Sequence, residues 1–414
     1  METLQIGFIG AGFISRFQTQ AMSMVRGWEL AGVHALDWAR KFSRYAQSKG
    51  VGPCEIYTSV GELCKHCDVV AIFAPNYVRV ELMEQIADAV KAGAELKGVI
   101  CEKPLGRTVA EAGRMVELAR QTKLPTAYFE NQIHMKSLKH ALEQLAPIQE
   151  TVGPIALART AEEHAGPHEP WFWDPTRQGG GVLCDMACHS IAAGWYALTP
   201  VGKPVDYLQP VAVTAETSLL KWGLPKYRKL LLDRMGVDYA KIPAEDFSTG
   251  LVTFKHPDTG QIVKTQFTSS WMYDKQGLRI FIDGLGPDYT FELNSLRSPM
   301  EVFVGDAAAE AVANAENAVE KATASRGLIP IQGNELDLYG YVDELVDARQ
   351  AFLAGKDALL NWDYGLEITR LCQAAYLSAE RRCTIDLTDP AMQKDLDSYQ
   401  SLIAQGRGAE VLFR

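Results

Sequence analysis

No run of this chain is long and apolar enough to read as a membrane span, and no basic excess marks a polyanion-binding surface. Lysine and arginine number 41 against 51 acidic residues, a formal charge of −10, which argues against non-specific nucleic-acid binding and against a polybasic membrane patch. Cysteine is sparse: Cys54, Cys64, Cys67, Cys101, Cys184, Cys188, Cys372 and Cys383 are scattered through 414 residues, as in a reduced cytosolic protein and unlike a disulfide scaffold. Cys64-Lys65-His66-Cys67 has CxxC spacing, but no second pair exists, and the two thiols read as packing residues. Internal repeats and low-complexity tracts are also missing. METLQIGFIG enters its first strand almost at once, which leaves no room for a secretory signal and points to the cytoplasm. What the chain does have is 47% apolar residues, enough for two or three domain cores.

The stretch Leu4 to Ser15, LQIGFIGAGFIS, is a short apolar strand that breaks at Gly10-Ala11-Gly12 and resumes as a helix. Gly10 permits the tight turn, and Gly12 lets the backbone approach a pyrophosphate at the helix N-terminus. Ser15 takes the third fingerprint position, small enough for helix-strand packing and able to face phosphate itself. Asp37 ends the second strand, 25 residues after Gly12, where a carboxylate accepts both adenosine ribose hydroxyls and repels a 2′-phosphate. That favours NAD, although Asp37 is equally placed to cap the next helix.

Strands at 68–73, 98–101 and 126–129 alternate with helices at 77–92 and 109–122, which predicts a parallel sheet with ligands at the strands' C-terminal ends. Past residue 130 the rhythm changes. A helix at 136–145 precedes strand-like segments at 154–161, 208–218, 248–255, 261–270, 278–284 and 289–293, then helices near 304–320, 335–353 and 365–382. The expected architecture is α/β: a Rossmann domain over 1–129, then an α/β domain over 130–389 with a large mixed, mostly antiparallel open sheet. Residues 390–414 read as a C-terminal helix and tail.

Three polar stretches sit where chemistry is more economical than solvation. Glu102-Lys103-Pro104 follows the apolar end of a parallel strand, so Lys103 is delivered to the crevice and can hold a substrate hydroxyl; a plain surface lysine is the alternative. After Gly179-Gly180-Gly181, the run VLCDMACHSIAAGWYAL reads as a helix on which Asp185 and His189, four apart, share a face. The imidazole can take an alcohol proton, and the aspartate can orient it or bind a neighbouring hydroxyl; a structurally satisfied histidine is the alternative. Metal binding by Cys184, Asp185, Cys188 and His189 lacks the distant ligand that zinc sites usually recruit, and no metal is expected. The third stretch, Ala161 to Asp174 (AEEHAGPHEPWFWD), reads as a rigid loop whose aromatic faces and polar tips suit a sugar. His164, His168, Trp171 and Trp173 are its substrate candidates, with nothing evident to fix the histidines' direction. The tryptophans fit a core or an interface equally well. Arg79, Arg159, Arg177, Lys275 and Arg279 are candidates for an anionic substituent.

GFIGAGFIS, APN at 74–76, CEKPLGRTVAEA from Cys101 and GGGVLCDMACH ending at His189 together resemble the glucose-fructose oxidoreductase / inositol dehydrogenase / rhizopine catabolism (Gfo/Idh/MocA) family. The resemblance implies NAD-linked oxidation or reduction of a sugar, glycoside or cyclitol at a secondary hydroxyl, in a homodimer or homotetramer without nucleic-acid or membrane partners. It places the catalytic residues at Lys103, Asp185 and His189, which also bind substrate. Cofactor contacts are expected at Gly10, Gly12, Phe13, Ile14, Asp37, Pro75, Asn76, Arg79, Glu102, Lys103 and Asn131. Family members commonly carry a histidine a few residues beyond the asparagine; here Val78, Arg79 and Val80 stand there, which puts Arg79 near cofactor or an anionic substrate. Two enzymatic alternatives stay open: a glycoside hydrolase that oxidises C3 transiently and eliminates the aglycone, and a sugar–sugar oxidoreductase with a tightly held cofactor. A non-catalytic NAD sensor is the third.

Overall fold

A computed structural model of the chain describes residues 2–275, 277–297, 301–304, 327–330 and 334–413. It divides into two compact units, the first built from Met1–Lys136 and Leu336–Arg370, the second from Ser137–Glu335 and Leu371–Arg414.

The first unit contains β1 (Leu4–Ile9), α1 (Phe13–Met22), β2 (Trp28–His34), α2 (Ala39–Ser48), β3 (Glu55–Ile56), α3 (Val60–Cys64) and β4 (Val69–Ile72). α4 (Arg79–Lys91), β5 (Gly98–Glu102), α5 (Val109–Thr122) and β6 (Thr126–Phe129) follow. All six strands are parallel, in the order β3-β2-β1-β4-β5-β6, the doubly wound arrangement expected from the alternation. Leu4, Ile6, Phe8, the whole of β4 and Val99–Cys101 are buried, as parallel strands covered on both faces must be. The returning segment is tied to this sheet by specific bonds. Trp28 donates its indole N–H to the Leu345 carbonyl, Trp362 donates to the Ala127 carbonyl, and Asp357 accepts from the backbone and hydroxyl of Thr126. No local pattern announces such pairings, which span more than 200 residues.

The second unit begins with α6 (Lys136–Val152), which runs through Pro147 and past the expected end at 145. β7 (Leu157–Glu163), α7 (Pro170–Trp173), α8 (Pro175–Gln178), α9 (Cys188–Leu198), β8 (Gln209–Ser218), α10 (Pro225–Met235), β9 (Phe247–Lys255) and β10 (Ile262–Ser270) come next. They are followed by β11 (Arg279–Gly286), β12 (Tyr289–Asn294), β13 (Glu301–Val304), β14 (Gly327–Pro330) and, after the helices Glu335–Leu338, Tyr341–Leu353 and Trp362–Arg381, β15 (Ile385–Asp386). Seven strands form one sheet in the order β12-β11-β7-β10-β9-β8-β15; β7 and β10 run parallel and the other pairings are antiparallel. β10 shows how it is made. Val263, Thr265, Phe267 and Ser269 are buried on the face that carries α9, while Lys264 and Gln266 point the other way. Leu251 and Ile262 remain exposed on that open face.

Several element boundaries differ from expectation. The helix expected at 335–353 is two, Glu335–Leu338 and Tyr341–Leu353, parted at left-handed Gly340 (φ +91°), beside which the Asn131 side-chain amide donates to the Tyr339 carbonyl at 2.7 Å. The C-terminal helix Pro390–Ser398 stops at extended Tyr399, and the tail folds back through turns to a short helix at Ala409–Leu412. The stretch 161–174 is not one loop: its first three residues end β7 and Pro170–Trp173 is helical. The helix expected near 304–320 lies outside the described residues.

Candidate active site

In the first unit, Gly10 (φ +119°) turns the chain so tightly against β4 that a Cβ there would lie 2.9 Å from the Phe73 carbonyl. Ser15 is buried, and its hydroxyl donates to the Gly10 carbonyl at 3.0 Å; it ties the turn and does not face outward to phosphate. The N-terminus of α1 carries no side-chain cap and no acidic residue in its first turn, and the space a Gly12 Cβ would enter is open. Such a helix end presents unshielded backbone N–H groups to an anion. Asp37 is exposed beyond β2, between Leu36 (97% exposed) and Trp38 (68% exposed). Trp38, not Asp37, is the N-cap of α2, so the carboxylate is not spent on capping.

Pro75 leads into the buried Asn76, which opens a 3-10 turn running directly into α4. The next residue corrects the sequence reading. Arg79 is buried, and its guanidinium donates to the carbonyls of Ala74 (3.1 Å), Lys103 (3.3 Å), Glu102 and Pro104. Four of its five N–H groups are thereby directed at backbone, so it does not serve as an anion receptor. Instead it holds the turn that presents Lys103, which is half-buried, with its own N–H on the Phe129 carbonyl and a cis bond to Pro104. Glu102 is buried too. Gln18 bridges it to Glu344, at 3.3 and 2.7 Å, and burial followed by the charge of Glu102 drives the Glu344 carboxyl well above its usual range.

In the second unit, residues 162 and 164 leave β7 on one face, as the two-residue strand period requires. Glu162 Oε2 faces His189 Nε2 across 3.8 Å, and His164 Nε2 faces Asp185 Oδ2 across 3.9 Å. All four side chains are buried. Trp271, also buried, donates its indole N–H to the same Asp185 oxygen at 3.3 Å. The segment carrying Asp185 is π-helical over Leu183–Ala187 before α9 begins, so the simple four-residue face assumed for Asp185 and His189 does not describe it. Glu162 and Trp271 were missed as site residues; the i, i+2 spacing of Glu162 and His164 was the available signal.

The glycine run before this segment admits a buried support. A Cβ on Gly180 would lie 1.8 Å from the Tyr376 hydroxyl. Glu245 accepts from the N–H groups of Gly181 (2.9 Å) and Leu183 (3.1 Å) and from the Tyr376 hydroxyl (2.6 Å). That hydroxyl also accepts from Cys184 N–H at 3.1 Å. Burial pushes the Glu245 carboxyl up to about 7, with these hydrogen bonds opposing it.

The remaining candidates separate. Trp173 is enclosed: its ring meets Trp222 and Trp271 at 4.7 and 4.9 Å, and its N–H goes to the Pro167 carbonyl. Its faces are packed against protein. Trp171 is partly exposed and stacked on Phe172, and His168 is exposed. Arg159 pairs with Asp283 at 2.6 Å, Arg279 with Glu163, and Arg177 with Asp174 at 3.7 Å, so three further arginines of the anion-binding list already have carboxylate partners.

Residues 4–129 match the oxidoreductase family described by an NAD-binding Rossmann fold. A 1,5-anhydro-D-fructose reductase of Ensifer adhaerens is 30% identical over 220 residues, which are 53% of this chain and 62% of that protein. A myo-inositol 2-dehydrogenase of Thermotoga maritima is 27% identical over 203 residues, 47% of this chain and 55% of that one. The chain thus matches less than two thirds of these relatives' own lengths. In fold it is similar to GenD2 from gentamicin A biosynthesis, solved in complex with NAD, with a TM-score of 0.72, 21% identity and coverage of 94% of this chain and 97% of that one. The motifs, the parallel sheet and the match lead to one conclusion: residues 4–129 carry the NAD-binding Rossmann fold of the Gfo/Idh/MocA oxidoreductase family.

Proposed function

We propose that this chain is an NAD-dependent oxidoreductase that moves a hydride between the nicotinamide and a secondary hydroxyl of a sugar, glycoside or cyclitol. The observation that supports it best is the burial of two imidazole–carboxylate pairs, Glu162–His189 and His164–Asp185, on one strand and one helical segment. Burying four ionisable side chains costs several kcal/mol for each group left unpaired, an expense that a purely structural core avoids. The nucleotide end fits the cofactor: an uncapped helix N-terminus for pyrophosphate, open space at Gly12, and an exposed Asp37 for the adenosine ribose.

When bound, NAD supplies the hydride acceptor. His189 takes the hydroxyl proton, and Glu162 opposite it steadies the imidazolium that results. Lys103, set by Arg79, holds the carbinol oxygen and offsets its developing charge. Asp185 accepts from a neighbouring hydroxyl and so fixes which carbon is presented. The remaining cofactor contacts, Phe13, Ile14, Pro75, Asn76, Glu102 and Asn131, and a substrate rim at His168 and Trp171, belong to the same proposal. So does a cytoplasmic homodimer or homotetramer built on the open face of the second sheet. Among the described residues no helix is long and apolar enough to cross a membrane.

The test is a screen of neutral and acidic sugars, glycosides and cyclitols that reads NADH formation and glycoside cleavage together. NADH formed in proportion to an oxidised sugar or cyclitol supports the proposal. Free sugar released without net NADH replaces it with the transient-oxidation hydrolase.

A further inference from the structure

The segment His164-Ala165-Gly166-Pro167 supplies something the oxidoreductase reading leaves unused: a histidine whose tautomer is set by its own backbone. Gly166 N–H donates to His164 Nδ1 at 2.9 Å. A ring nitrogen that accepts carries no proton, so in the neutral imidazole the proton sits on Nε2. Nε2 is the atom that faces Asp185 Oδ2.

The surrounding chain leaves that ring little freedom. His164 N–H donates to the Ser270 carbonyl at 3.0 Å, and the His164 carbonyl accepts from Tyr273 N–H at 3.2 Å, so the residue's backbone is pinned on both sides. Trp173 lies over Gly166, with its ring 2.6 Å from where a Cβ would sit, and its N–H holds the Pro167 carbonyl at 3.1 Å. The aromatic loop thus keeps the Gly166 amide aimed at Nδ1. Asp185 Oδ2 thus accepts the Trp271 N–H and is faced at 3.9 Å by His164 Nε2, from a separate element.

We infer that His164 is a positioning residue: held neutral with its proton on Nε2, it orients the Asp185 carboxylate as a fixed acceptor for a substrate hydroxyl. The inference rests on Asp185 binding substrate as proposed above. A histidine that contacted substrate directly would need a free ring nitrogen, whereas here Nδ1 is taken by Gly166 and Nε2 is turned to Asp185.

Two amide substitutions separate the two ring nitrogens. In His164→Gln the terminal amide nitrogen reaches the Nε2 position and can still turn an N–H toward Asp185. In His164→Asn the side chain ends near Nδ1, and that donor is lost. Imidazole nitrogen NMR on histidine-labelled protein, with the His164 signal among eight histidines identified by its absence in His164→Gln, reads the tautomer without any substrate. The expected result is a neutral ring protonated on Nε2 at neutral pH. The Trp271 indole N–H resonance should hold its position in His164→Gln and move in His164→Asn. With a substrate from the screen, turnover per titrated NAD site should stay within about threefold in His164→Gln and fall on the order of 100-fold in His164→Asn, as a misplaced polar contact does. A proton on Nδ1, an imidazolium at neutral pH, or equal behaviour of the two variants overturns the inference. Full activity in Asp185→Asn would instead overturn the reading beneath it and leave the tautomer result standing.

Discussion

Arg79 holds the main chain on both sides of Lys103: its guanidinium takes the Lys103 carbonyl and those of Glu102 and Pro104. The side chain was legible as a departure from the family's histidine, but not its use. Sequence shows a charge near a cofactor crevice, and the structure turns that charge inward on the strand end 24 residues later.

Arg79→Ala should therefore disable the enzyme without abolishing its nucleotide site. Each buried carbonyl left without a donor costs about 1–3 kcal/mol, so a fall in melting temperature is expected. Among molecules that still bind NAD, turnover should drop on the order of 100-fold. Arg79→Lys, a point donor in place of a planar fork, should recover only part of it. NAD titration by protein fluorescence combined with turnover per site measures both effects; wild-type turnover per site in Arg79→Ala would show that the clamp does not set Lys103.

Glu162→Gln keeps the shape of the side chain opposite His189 and removes its charge. Turnover should fall by about tenfold or more, the scale on which general-base assistance operates, while NAD affinity is unchanged. Steady-state kinetics beside an NAD titration decide it; a change in NAD affinity alone would assign Glu162 elsewhere.

Glu245 gives a pH dependence with a definite sign. Its carboxyl is raised by burial from 4.5 to about 7 in the folded chain, so folding favours the protonated form. The stabilisation from this group is complete below about pH 4.5 and is lost as pH rises through about 7. The shift corresponds to an order-of-magnitude contribution of about 3 kcal/mol. Melting temperature should decline across that window, and Glu245→Gln, which keeps an acceptor for Gly181 and Leu183, should flatten the decline. Superimposable pH profiles of the two proteins would contradict this.

The thiols offer a simpler check. Cys64 and Cys67 are buried, and burial pushes both up to about 12, which disfavours the thiolate that redox chemistry at a CxxC needs. Cys383 is exposed. A thiol-specific reagent should modify Cys383 rapidly in the native protein and the other seven only after unfolding. Rapid native labelling of Cys64 or Cys67 would refute the assignment.

The elements that sequence made legible were those with a local signature. Alternating burial along β10 and the glycine turn at Gly10 are both written in neighbouring residues. Legibility failed where the structure depends on distant partners. Glu162 meets His189 across 27 residues, Glu245 reaches the N–H groups of Gly181 and Leu183 from 64 and 62 residues away, and Leu336–Arg370 returns to the first unit after some 200. The run Gly179-Gly180-Gly181 likewise does not name what approaches it; at Gly180 it is the Tyr376 hydroxyl.

The most direct measurement of the central claim is NADH formation from a substrate of the screen by the wild-type protein, Lys103→Ala and His189→Ala, with NAD binding measured on the same samples. Hydride transfer as proposed predicts turnover in the wild type, its loss by at least about 100-fold in both variants, and NAD affinity retained throughout. Full turnover in His189→Ala would contradict it.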